Sequence, residues 1–150
     1  MGNDELDYDD PEVEANWISA RRNEVIRYLE LEGISHGGVD DEPDYYVAPH
    51  ASVWRVTDST HKDRIAFWVI CGDLPTDRVS ADEAHDAREV LAHFGRSWAE
   101  VAACMKAGKK HPAITIGTPD EWEQLGPILE DLAETLSEIS GDDALWEEQE

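Results

Sequence analysis

The sequence predicts an α+β fold: one small antiparallel sheet covered by three helices, in two layers. Two observations carry that expectation. Residues 65–71 are apolar without a break and are preceded, over 52–58, by an arm that alternates. Helical apolar periods lie on either side, over about 11–32, 81–107 and 119–140. The 150 residues are short enough for one domain, read here as 11–141, and an apolar content of 41% suffices for a core.

Residues 1–10 carry Asp4, Glu5, Asp7, Asp9 and Asp10 with little to bury, and read as a disordered acidic tail. An acidic start of this kind is neither a secretory signal nor a transit peptide. Asp10 suits an N-cap and Pro11 the first helical position. Trp17, Ile18, Val25, Tyr28 and Leu29 then form one stripe, with Arg21 in its middle. A guanidinium there must snorkel outward or find a buried partner; ligand recognition is the other reading. Gly33 closes the helix. The loop that follows is acidic, and Tyr45-Tyr46-Val47 suits an edge strand.

In the hairpin, about 52–71, Trp54 and Val56 share one face, and Val53, Arg55 and Thr57 the other. The second arm, Ile65 to Cys71, is apolar on both faces, which marks a strand covered on both sides. Asp58 to Asp63 make a polar connection. Gly72 and Pro75 are expected to stop the strand, with Leu74-Pro75-Thr76-Asp77 as a turn and a short third strand over 77–80.

The stretch A-F-W-V-I-C-G-D-L-P-T-D-R-V-S-A, with V-W-R-V before it and a Trp-bearing helix after it, resembles a bacterial family known only as a domain of unknown function, number 4826. The resemblance covers roughly Trp54 to Trp122. G-D-L-P-T-D-x-V-S-A is its most specific part. It implies a small soluble bacterial protein and brings no activity, cofactor or site residue with it.

Ser80-Ala-Asp-Glu83 is a capping-box pattern that starts the helix at Ala81. A second such pattern, Ser97 to Glu100, together with Gly95, leaves one long helix or two open. Thr118-Pro-Asp-Glu121 opens the last helix, whose stripe is Leu125, Ile128, Leu129, Leu132, Leu136 and Ile139. Gly126-Pro127 should kink it or split off its first turn. Residues 142–150 read as a second acidic tail, containing the apolar pair Leu145-Trp146.

Net charge is −23. Residues 1–49 hold 14 acids and 3 bases, residues 50–117 hold 9 of each, and residues 118–150 hold 12 acids and no base. Such flanks repel nucleic acid and anionic lipid and attract basic proteins. Solubility, or adaptation to high salt, is the plain alternative. The longest apolar run is too short to span a bilayer. Cys71 and Cys104 read as free core thiols of a cytoplasmic protein.

Candidate chemistry is thin. Asp82, His85, Asp86, Glu89 and His93 would share one helix arc, with His85, Glu89 and His93 spaced to hold a metal; a solvated helix face is the competing reading. Asp73 and Asp77 flank a turn and could bind a divalent ion or supply acid and base, or simply cap the turn. Cys71 ends a buried strand, where packing and nucleophile readings compete. The six tryptophans read as core or as the wall of an aromatic pocket. No dinucleotide, phosphate-loop, zinc-protease or paired-cysteine motif is present, and no cofactor is expected. The leading expectation is a non-enzymatic protein whose acidic flanks engage a basic protein, with Asp142, Asp143, Trp146, Glu147 and Glu148 as contact residues. A metal-assisted hydrolase using Asp73 and Asp77, and a nucleic-acid mimic, are the alternatives.

Overall fold

The computed structural model describes residues 7–47, 50–61, 63–111 and 118–147. The chain forms two compact units, Met1–Ala87 and Arg88–Glu150.

The first unit is a helix against an antiparallel sheet. Asp10 caps α1 (Pro11–Leu31), its carboxylate accepting the Glu12 N–H at 2.9 Å. Before the cap the backbone already turns, with Asp10 N–H bonding Asp7 O at 3.0 Å. Residues 1–6, the rest of the expected acidic tail, lie outside the described residues. The strands are β1 (Gly38–Val39), β2 (Tyr45–Val47), β3 (Ala51–Thr57), β4 (Ile65–Gly72) and β5 (Leu74–Ser80). β3, β4 and β5 lie side by side, with β1 and β2 both pairing with the outer side of β3.

Pairing of Ser52 with Cys71, Trp54 with Val69 and Val56 with Phe67 puts these six on one face. That face meets α1: Val25, Leu29, Val39, Trp54, Val56, Val69 and Cys71 form one buried cluster. Ser52 is its polar hub. It accepts from Trp54 Nε1 at 2.8 Å and donates to Cys71 O at 3.1 Å, so a fully buried hydroxyl is satisfied. The opposite face, with Val53, Trp68 and Ile70, is equally shut from water. Trp68 Nε1 donates to Ala84 O at 2.9 Å. Arg55 lies over the Trp68 ring at 5.6 Å and pairs with Asp44 at 2.7 Å.

Two expectations on this unit are corrected. β5 begins at Leu74, so Leu74 to Asp77 are strand and not turn. The reversal is confined to Gly72-Asp73, because Gly72 takes a φ of 143°, which a side chain disfavours. Leu74 pairs with Gly72 and Asp77 with Ile70, so β5 carries one extra residue there. Pro75 falls in that bulge, where its missing N–H is tolerated. A Cβ on Gly72 would stand 2.6 Å from His50 O. Gly72→Ala is therefore expected to cost about 2–3 kcal/mol, read as a lowered midpoint in urea unfolding. The second correction is the start of the next helix. Ser80 accepts the Asp82 N–H at 3.1 Å and its carbonyl accepts from Glu83 and Ala84, so 81–83 form a turn and the helix begins at Ala87.

The second unit is a helical hairpin. α2 (Ala87–Lys106) is one continuous helix through Gly95 and Ser97. α3 (Trp122–Gly141) starts after a turn in which Glu121 accepts from both the N–H and the hydroxyl of Thr118, at 2.9 and 3.0 Å. It runs unbroken through Gly126-Pro127; only the bond to the Glu123 carbonyl is forgone, near the helix start. The helices are antiparallel. A Cβ on Gly95 would stand 3.3 Å from Ala133 O, and one on Gly126 would touch Met105. Bare backbone at Gly95 thus lets α3 approach closely. A short α4 (Asp143–Glu147) occupies part of the second tail. The connection at 112–117 lies outside the described residues. No described helix is long and apolar enough to cross a membrane.

Candidate functional site

Charge and exposure converge on α3. At 100° per residue, Leu129, Ala133 and Leu136 fall on one side, and they are buried. Glu123, Glu130, Asp131, Glu134 and Glu138 fall on the opposite side, within an arc of about 100°, and all are exposed. No basic residue occurs on the helix. Among the described residues, Glu130 alone of the five has a counter-charge, Lys106 at 2.6 Å. At the start of this face is a recess of about 360 Å³ in which Met105, Pro119, Trp122 and Pro127 lie beside the charged Lys106 and Glu123. The next residue, Ile128, is 56% exposed, unusual for its type. Sequence reasoning found the apolar stripe of this helix and overlooked the acid stripe behind it, although the same periodicity carries both.

The residues expected to contact a partner lie just beyond. Asp142 and Glu147 are exposed, whereas Asp143 is held by Arg88. Arg88 also donates to Ser140 O at 2.7 Å and lies over the Trp146 ring at 6.0 Å. Trp146 Nε1 donates to Ile139 O at 3.0 Å, so the indole is folded onto its own unit. Glu148 lies outside the described residues.

The remaining candidates are dispersed. Asp73 is exposed in the β4–β5 turn and Asp77 is the fourth residue of β5, about 10 Å along the strand at 3.3 Å per residue. Asp77 accepts the Arg78 N–H at 2.8 Å. His85 precedes α2, so it lies outside the helical register that would set it above Glu89 and His93. His93 meets Phe94 edge-on at 5.0 Å. Among the described residues no three metal-ligating side chains converge. Cys71 and Cys104 are free thiols. Cys71 is fully buried and within 3.3 Å of the Ser52 hydroxyl. Its burial pushes the thiol up to about 12, the wrong direction for a nucleophile. Arg21 is half-buried over Trp17, 3.5 Å from Glu24.

A family profile described as Domain of unknown function (DUF4826) matches residues 12–146. The chain belongs to that family. The match extends beyond Trp54–Trp122 in both directions and takes in α1, the whole sheet and the α3 acid face of this DUF4826 chain. No curated protein and no solved structure matches it.

Proposed function

We propose that this DUF4826 protein is a non-enzymatic binding or regulatory protein whose acidic α3 face engages a basic protein surface. The observation that carries the reading is the arc of five exposed acids on a helix without a base. Such a face raises the encounter rate with a cationic partner and disfavours anionic ones. The recess at Trp122, where apolar walls stand beside Lys106 and Glu123, adds what charge alone lacks, a seat for an anchoring side chain. Asp142 and Glu147 extend the field beyond the helix end.

A triple variant, Asp131→Lys, Glu134→Lys and Glu138→Lys, tests it. All three positions are exposed, so stability should change by no more than about 0.5 kcal/mol each. Affinity capture from native lysate at low salt should retain a basic protein that moderate salt releases. The triple variant should retain it at least about tenfold less. Equal retention by both forms would remove the acid face from the interaction. A second reading has its own observation: Glu130, Glu134 and Glu138 recur every four residues, about 6 Å apart along the axis. So regular a row suits a nucleic-acid mimic, in which case added duplex DNA should displace the captured protein.

A further inference from the structure

The first unit contains a recess of about 490 Å³, within the range of small-molecule sites, about 300–1,000 Å³. Its lining includes Tyr8, Asn16, Trp17 and Arg21 from the α1 side and Asp73 from the β4–β5 turn. Arg21 is the unusual member. Its side chain is 23% exposed, and its guanidinium lies 5.7 Å from the centre of the Trp17 ring. None of its donors makes a hydrogen bond among the described residues; Nε is shut from solvent without a partner, and the contact to Glu24 is a loose 3.5 Å. Half-buried guanidinium groups ordinarily use their planar fork on a carboxylate or phosphate. Asp73, in the same lining, is exposed and forms no ion pair among the described residues. One recess therefore presents a cation and an anion that do not neutralise each other, beside an aromatic wall.

We propose that this recess binds a small zwitterion of the α-amino-acid class. The ligand's carboxylate takes the guanidinium fork of Arg21 in place of its loose contact to Glu24. Its ammonium is drawn to Asp73, and its side chain lies against Trp17. A plain anion is disfavoured by Asp73 and by the excess of acid in this half of the chain, and a plain cation by Arg21. Asn16 and Tyr8 supply neutral hydrogen-bonding groups at the wall. This site lies wholly in the first unit and is independent of the α3 face.

The test is a thermal-shift screen of the full chain against each free L-amino acid at millimolar concentration. Any hit is then titrated calorimetrically beside its N-acetyl derivative and its decarboxylated amine. At least one free amino acid should raise the melting temperature by about 2 °C or more, and both derivatives should lose most of that shift. Arg21→Gln and Asp73→Asn should each abolish it, while Arg21→Lys keeps the charge without the fork and should retain a reduced shift. Asp73 is an exposed turn residue, so Asp73→Asn stays readable if Arg21→Gln folds poorly. No shift with any amino acid overturns the proposal. So does a shift that survives Asp73→Asn, or one reproduced in full by the N-acetyl derivative.

Discussion

Trp54→Ala should remove about 3–5 kcal/mol of stability, a large share of the roughly 5–15 kcal/mol available to a domain. The indole is fully buried between β3 and α1, packed with Val25, Leu29, Val56 and Val69. Truncation leaves a cavity that a rigid strand and a helix crossing it cannot close. It also strips Ser52 of the donor at 2.8 Å, leaving a buried hydroxyl with one bond fewer. Trp54→Phe separates the two effects. It keeps most of the packing and should cost about 1–2 kcal/mol, chiefly for the lost bond and the smaller ring. Urea unfolding followed by circular dichroism measures both. A loss below about 1 kcal/mol for Trp54→Ala would mean that the α1–sheet core is not what holds this unit together.

Alkaline pH should destabilise the same unit. The Cys71 thiol is pushed up to about 12 from its ordinary 9.0, first and chiefly by burial; the Ser52 hydrogen bond opposes this, the nearby Glu24 carboxylate adds to it, and Arg21 lowers it least. In the unfolded chain the thiolate forms above about 9; in the folded chain it does not until about 12. The unfolded state therefore holds fewer protons in that window. The contribution is whole below about pH 9 and is lost as pH rises toward 12, by up to about 1.4 kcal/mol per unit. Tyr28, whose phenol burial raises above 10.0, acts in the same sense at the upper end. Urea midpoints at about pH 8 and about pH 11 should differ accordingly, and Cys71→Val should flatten the difference. An unchanged slope in Cys71→Val would assign the alkaline loss to the tyrosines alone.

Much of the fold was legible because local chemistry decides it. Asp10-Pro11 announces α1 as cap and first residue, and the β-branched and aromatic run Ile65–Cys71 can only be a covered strand at that length. The acid excess was visible as well, though only its position along the chain. Ser80–Glu83 is a turn and not a helix start because a serine hydroxyl serves a tight turn as readily as a cap, and only the path of the chain after β5 chooses between them. Leu74–Asp77 is strand and not turn for a related reason. Pro in a turn and Pro in an edge bulge share one φ, and pairing with β4 decides which it is.

By itself, then, the sequence determined the elements whose signals are local: caps, a buried strand, amphipathic helices, and a surface carrying charge −23. Tertiary structure alone decided which charges meet. It paired Asp143 with Arg88, and it left five acids of α3 on one exposed face. It also set Arg21 and Asp73, 52 positions apart, into one recess without joining them. Side-chain juxtaposition across such separations depends on strand register and helix docking, which no local pattern encodes.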